Sequence, residues 1–370
     1  MKKIFLYMFL MVLILSIISS FSLIGCKTKA AETTKAAETT AAAETTKAAE
    51  TTKAAETTKA AKTKFNIGYQ IYYSGNDWSL QMAEEFKYAI QHDYADMIDN
   101  LYYVDDQLDA TKQLNNFDDL VVKGCDIIFV SVLDPNAMNA KVKEAVAAGI
   151  IVIGFAIDVK GDFTSVVATS DYGRAKTSAL WIAKDAGVKG KVLLINGGAG
   201  TQTAIDYKNG VVDAFKDYPD IKLLPETFSQ WDWAIAKKIT QDTLTANPDL
   251  AAIVTDNDPR YSAQVFIESG KPLIPITWHT NNGALRVWKE LKEKSGLKAF
   301  AVQKPVTVSK AALDIGMKAL KGEEVPKAVD WPFFTLTEDK IDEYYRPDLP
   351  DNLWFPTFLP DDVIQKLYSK

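Results

Sequence analysis

The sequence predicts an α/β protein built on parallel sheets with helices on both faces. Two observations point there. From Phe65 onward, short β-rich apolar runs alternate with amphipathic stretches of ten or more residues, the pattern of βαβ units whose strands are buried on both sides. Polar and aromatic residues also gather just after the strands, beyond the carboxyl ends where open α/β sheets bind ligands.

The first strand is Asn66–Ile71 and the helix after it Trp78–Ile90. Further strands are expected at Leu101–Val104, Asp126–Val130, Ile150–Phe155, Lys191–Asn196, Ala251–Thr255, Ile274–Trp278 and Ala299–Gln303. Between them, helices are expected at Ala110–Val122, Ala137–Ala148, Arg174–Ala186, Ile205–Phe215, Ala234–Leu244 and Val306–Leu320. Residues following the strands are Ser74–Trp78, Ser131 with Asp134, Asn257-Asp258, His279–Asn282 and Gln303. Any one such loop is ordinary turn chemistry; five in register suggest a shared crevice.

Ahead of this body lie two segments of different character. Lys2 and Lys3 precede an apolar run from Ile4 to about Ile18, and small residues lead to Leu23-Ile24-Gly25-Cys26. That order is an export signal; a plain signal peptide or an uncleaved membrane helix would share most of it. From Lys27 to Lys64 the chain repeats Ala-Ala-Glu-Thr-Thr-Lys with small variations. Lacking aromatic and large aliphatic residues, residues 26–63 cannot bury a core and read as a disordered tether. Fully extended, it would reach on the order of 130 Å, and as a flexible coil about 35 Å. A sugar-bearing stalk is the competing reading.

A net charge of -6 gives no basic footprint for nucleic acid. Cys125 stands just before a strand, where a small buried residue packs well. The chain has two histidines, His92 and His279, which leaves metal clusters and nucleophilic triads poorly supplied. Asn196–Thr201 follows a strand and precedes a helix, but it lacks the Gly-Lys-Ser/Thr ending of a nucleotide loop. The carboxylate pairs Asp105-Asp106 and Asp118-Asp119 fall at a strand end and on a helix, where solvated charge is the usual explanation. Nothing marks two carboxyls facing one scissile bond, as a glycosidase requires. No enzyme activity, cofactor or metal is expected.

Several motifs together resemble the type I periplasmic sugar-binding proteins, the ribose-binding group of solute receptors for ABC transporters. They are Asp126–Asp134, Glu144–Ile150, Asn196–Thr201, Thr255–Asp258 and the Trp231-Asp232-Trp233 corner, with Asp348–Thr357 resembling a subgroup that has an extended C-terminus. The Leu-Ile-Gly-Cys ending likewise resembles the lipobox of bacterial lipoproteins, which implies cleavage of residues 1–25 and lipid on Cys26. The resemblance implies two doubly wound parallel-sheet lobes joined by a three-segment hinge. Residues 64–170 plus 304–328 would form the first lobe, and 171–303 plus 329–370 the second.

It further implies an exported, membrane-anchored monomer that captures a sugar or sugar-like molecule between its lobes and delivers it to an ABC permease. A sensor presenting the same solute to a membrane signalling receptor is the alternative. Position by position, the resemblance points to Asn76, Asp77, Trp78, Ser131, Asp134, Trp231, Asn257, Asp258, His279 and Gln303. Where the family carries arginines, this chain aligns Ile157 and Tyr207. Trp278 stands where the family has phenylalanine. The expected pocket is therefore Trp78, Trp231, Trp278 and Tyr207 around few polar anchors, suited to a carbohydrate, a flat heterocycle or a cation.

Overall fold

The computed structural model describes residues 62–369. The segment expected to be an export signal, Cys26 and nearly all of the repeat lie outside these residues. Two parallel-dominated sheets form two α/β lobes. The first sheet contains β1 (Phe65–Ile71), β2 (Ile98–Asp105), β3 (Ile127–Val130), β4 (Ile151–Ala156), β5 (Ser165–Ala168) and β12 (Ala328–Asp330). Its order is β12-β5-β4-β3-β1-β2, all parallel.

The second sheet contains β6 (Gly190–Asn196), β7 (Ile221–Leu223), β8 (Thr227–Phe228), β9 (Leu250–Thr255), β10 (Ile276–Trp278), β11 (Ala299–Gln303) and β13 (Phe334–Leu336). Its order is β13-β11-β10-β9-β6-β7, with β8 also on β6 and the edge strand β13 antiparallel.

The period of two along each strand explains why both faces are covered. In β3, Ile127 and Phe129 enter one apolar cluster while Ile128 and Val130 enter the cluster on the opposite face. In β6, Leu193 and Ile195 face one side and Val192 and Leu194 the other. Burial of both sets makes each central strand a continuous apolar run rather than an alternating one. Cys125 packs in the first lobe's core, and burial pushes its thiol up to about 11. At neutral pH it is a packed, inert thiol.

Three crossings join the lobes. The chain passes from β5 to the helix Asp171–Lys184, from β11 to the helix Val308–Leu320, and from β12 to β13. This corrects the expected assignment of residues 329–370 to the second lobe. β12 extends the first sheet, so the third crossing falls between Asp330 and Phe334. The final helix, Asp361–Tyr368, packs Ile364 against Tyr88 of the first lobe. Strands of three or four residues, such as β5, β12 and β13, show no period of their own, and their partners alone define them.

Glu85, on the helix Asp77–Asp93, is wholly buried beneath this C-terminal segment. Its Oε1 accepts from Thr357 Oγ1 (2.7 Å) and Gln81 Nε2 (3.3 Å). Burial outweighs these bonds and pushes its carboxyl from 4.5 up to about 8. Between those values the folded chain holds a proton that the unfolded chain has released. Stability linked to Glu85 is thus full below about pH 4.5 and is lost as pH rises through about 8. Urea unfolding of wild type and Glu85→Gln across this range should show the difference moving in the variant's favour as pH rises. A difference that stays constant with pH would contradict the assignment.

Candidate functional site

At the junction of the lobes, beyond the carboxyl ends of the strands, lies a cavity of about 110 Å³. Its aromatic walls are Trp78, Trp231, Trp354 and Tyr72. Asn76, Asn257, Asp258, His279 and Gln303 also line it, together with Ser79, Thr203, Arg174, Asp256 and Lys304.

Local geometry explains how each wall is held. Asn76 caps the helix Asp77–Asp93, its Oδ1 accepting from Ser79 N (2.9 Å), which sets Trp78 on the first helical turn. Trp78 Nε1 donates to the Lys304 carbonyl (2.8 Å), a residue at the second crossing. Trp231 and Gln230 both adopt left-handed backbone conformations with φ of 55°. Such strain at bulky residues persists where the surroundings over-determine it. Here the Trp231 ring lies on Gly197 and Gly198: a Cβ on Gly197 would sit 2.1 Å from the ring. Its Nε1 donates to Asp256 Oδ2 (3.2 Å).

Beneath these rings runs a buried charge network. Asp171 accepts from Arg174 Nε and from Lys304 Nζ, each at 2.7 Å. Arg174 Nη2 donates to Asp256 Oδ1 (2.6 Å), and Lys304 Nζ also reaches the Ala156 carbonyl (2.8 Å). Burial opposes ionisation of Asp171, but Lys304 and Arg174 together outweigh it and hold the carboxyl below its ordinary range. Burial likewise opposes the Arg174 charge, and Asp256 and Asp171 carry it upward. At the rim, Asp258 pairs with Arg260 (2.7 Å). Among the described residues, each charged side chain that lines the cavity has an oppositely charged partner.

Four polar atoms on lining residues find no protein partner: Thr203 Oγ1, His279 Nδ1, Gln303 Oε1 and Trp354 Nε1. Each is buried, and a buried polar atom left unpaired costs about 1–3 kcal/mol. Burial lowers the His279 ring from 6.5 to about 4, so it is a neutral donor and acceptor at physiological pH.

The expected residues divide in three. Asn76, Trp78, Trp231, Asn257, Asp258, His279 and Gln303 line the cavity. Asn257 is largely a brace, its Nδ2 donating to Ser229 Oγ (2.8 Å) and the Asp232 carbonyl (3.2 Å). Asp77 is half-buried on the first helical turn, where burial raises its carboxyl against the pull of Arg260.

The remaining four do not line the cavity. Trp278 lies in the second lobe's core, with Nε1 donating to the Ala284 carbonyl (2.9 Å). It shares a strand face with Ile276, and the next residue, His279, is the one that reaches the cavity. Tyr207 is buried behind the site, its hydroxyl donating to the Thr255 carbonyl (3.1 Å). Ser131 is fully buried. Asp134 caps the helix Pro135–Ala147 and lines a separate groove with Gly198 and Gln202.

Sequence reasoning missed Arg174, Lys304, Asp256, Thr203, Tyr72 and Trp354. The expectation of an arginine-free pocket is corrected by Arg174, whose guanidinium stacks 4.6 Å over the Tyr207 ring. An arginine from the neighbouring helix thus stands above the tyrosine. The signal available was Ser170, whose side chain caps the helix that opens Asp171-Tyr172-Gly173-Arg174 right at the first crossing.

Two α/β lobes, three crossings and a cleft at their junction define a clamp for a small solute. Residues 67–324 match the family profile of the periplasmic binding protein domain. The chain belongs to this family, as a type I sugar-binding protein of the ribose-binding type and a solute receptor of sugar ABC transporters. Members of the family are exported solute-binding proteins, not enzymes.

The chain is 27% identical to the ribose import binding protein of Bacillus subtilis (strain 168) over 240 residues, covering 64% of this chain and 76% of that one. With the Salmonella typhimurium ribose import binding protein it shares 29% over 229 residues, 61% of this chain and 76% of that one. Among solved structures, an ABC transporter solute binding protein from Thermobispora bispora superposes with a TM-score of 0.72 at 23% identity, covering 82% of this chain and 94% of that one. A solute binding protein from Bacillus halodurans with bound myo-inositol gives 0.68 at 18%, covering 78% and 99%. These structural likenesses establish the fold.

Removing the carboxylate charge at the centre of the network should be costly. Asp171→Asn leaves Arg174 and Lys304 buried without their shared anion, and should destabilise the protein by about 3–5 kcal/mol. Chemical denaturation measures this, and a loss under about 1 kcal/mol, typical of an exposed pair, would contradict the buried network.

Proposed function

We propose that this protein captures one neutral sugar or polyol between its lobes and hands it to an ABC permease, while lipid on Cys26 and the repeat behind it hold it near the membrane. The observation that carries the ligand class is the pairing of aromatic walls with four unpartnered polar atoms on residues that line one cavity. Ring faces cover the apolar side of a sugar, and hydroxyl groups both donate and accept. Gln303 Oε1 and Trp354 Nε1 have opposite needs, which one hydroxylated solute satisfies together.

Charge balance argues against a cationic or anionic solute. A charged ligand would have to compete with Asp171, Asp256 or Asp258 for their arginine and lysine partners. Uptake of a sugar is also what the names of the ribose import relatives describe for those proteins. The anchor rests on Leu23-Ile24-Gly25-Cys26 and on the tether that follows.

Thermal unfolding of the full-length protein with D-ribose, D-allose, xylitol and myo-inositol tests the ligand class. At about 100 times its dissociation constant, a solute that binds should add roughly 2.7 kcal/mol of stability. Trp78→Ala with Trp231→Ala should abolish that gain. The reading fails if no sugar or polyol raises the melting temperature, or if the double variant responds like wild type.

The anchor has its own test in cell fractionation. Wild type should appear in the membrane fraction with a lipid mass on Cys26, and Cys26→Ser should not acquire that mass. An unmodified mature Cys26 would contradict the anchor.

A further inference from the structure

From Arg346 to Tyr368 the chain crosses the cleft bonded to both lobes. On the second lobe, Asn282 Nδ2 donates to the carbonyls of Arg346 (2.6 Å) and Leu349 (2.9 Å). The Asn282 N–H donates to the Leu353 carbonyl (2.7 Å), and the Phe355 N–H to the Thr280 carbonyl (3.2 Å). On the first lobe, the Trp354 N–H donates to Gln81 Oε1 (2.8 Å), and Gln81 Nε2 donates to the Trp354 carbonyl (3.0 Å).

This reciprocal pair uses both ends of a fully buried amide, and so fixes the position of the Trp354 backbone. The Tyr368 hydroxyl adds a third bond, donating to Gln81 Oε1 (3.0 Å). Gln81 belongs to the same helix as Trp78, so one element seats two tryptophans of the cavity.

The Trp354 ring lines the cavity beside His279, with ring centroids 5.4 Å apart. The residue is 9% exposed, and its Nε1 has no protein acceptor. Trp78 and Trp231 each spend their indole N–H on the protein; Trp354 does not. A buried indole N–H ordinarily finds a partner. Trp354 lines the cavity, and among the described residues no acceptor takes this indole N–H.

We propose that Trp354 is a solute-contacting wall of the cleft, donating its indole N–H to an oxygen of the bound molecule, and that Gln81 is the positioning residue that clasps it there. The proposal rests on the solute-receptor reading and adds the C-terminal strap to the binding site. The strap is then a fourth connection across the cleft.

Full-length protein containing 5-fluorotryptophan separates the two ideas. The ¹⁹F signals of Trp78, Trp231 and Trp354 are assigned with single Trp→Phe variants, then followed through titrations with D-ribose, D-allose, xylitol and myo-inositol. The solute that shifts Trp78 and Trp231 should shift Trp354 along the same saturation curve. Trp354→Phe, which keeps a ring but lacks the donor, should weaken affinity about tenfold.

Gln81→Leu should weaken binding and also move the Trp354 signal before any solute is added. The proposal is overturned if a solute moves Trp78 and Trp231 but not Trp354, or if Trp354→Phe binds as wild type does. An unmoved Trp354 signal in Gln81→Leu overturns the clasp. If no solute moves any of the three signals, the receptor reading fails and this inference falls with it.

Discussion

Asp171 is the group on which the rest of the site depends. A carboxylate wholly removed from water is costly unless paired and hydrogen-bonded, and this one is shared between Arg174 and Lys304. Arg174 then reaches Asp256, and Asp256 takes the Trp231 indole N–H. Lys304 bonds the Ala156 carbonyl of the first lobe, while its own carbonyl takes the Trp78 indole N–H. One buried anion thereby orients two cations, which in turn place the two aromatic walls. The network also sits at two of the three crossings, because Asp171 opens the helix after β5 and Lys304 follows β11. Binding geometry and hinge geometry share the same atoms.

Pairing off its own charges makes the cavity selective by shape and hydrogen bonding rather than by field. An unpaired cation would attract phosphates and carboxylates, and an unpaired carboxylate would attract amines. With the charges spent internally, a solute is read by ring faces and by a few polar atoms on Thr203, His279, Gln303 and Trp354. The neutral state of buried His279 keeps that reading constant across physiological pH. Rigid aromatic surfaces lose little entropy on binding, which suits a site that must grip a strongly hydrated molecule.

Much of the architecture was legible because it is locally encoded. β1, β3, β6, β9 and β11 are apolar runs bounded by turn residues, and the helices between them carry their own caps, such as Asn76, Asp134, Thr201 and Asp232. The rule that ligands sit beyond strand ends brought Trp78, His279 and Gln303 to one cavity, and the family resemblance added Trp231. The resemblance misplaced Trp278, since a shift of one residue moves a side chain from the cavity to the core. Arg174 and Lys304 were illegible for a different reason. A charged residue on the first turn of a helix, or just after a strand, ordinarily faces solvent, and tertiary packing alone buries these two. Trp354 lies some fifty residues beyond the last central strand, and a path across the cleft leaves no local pattern.

A co-crystal of the protein with whichever of D-ribose, D-allose, xylitol or myo-inositol it binds measures the central claim directly. The account predicts one solute between the lobes, ring faces of Trp78 and Trp231 against its carbon skeleton, and hydrogen bonds to Thr203, His279, Gln303 and Trp354. A solute seated elsewhere, or one that leaves those four groups unpaired and draws Arg174 away from Asp171, would contradict it.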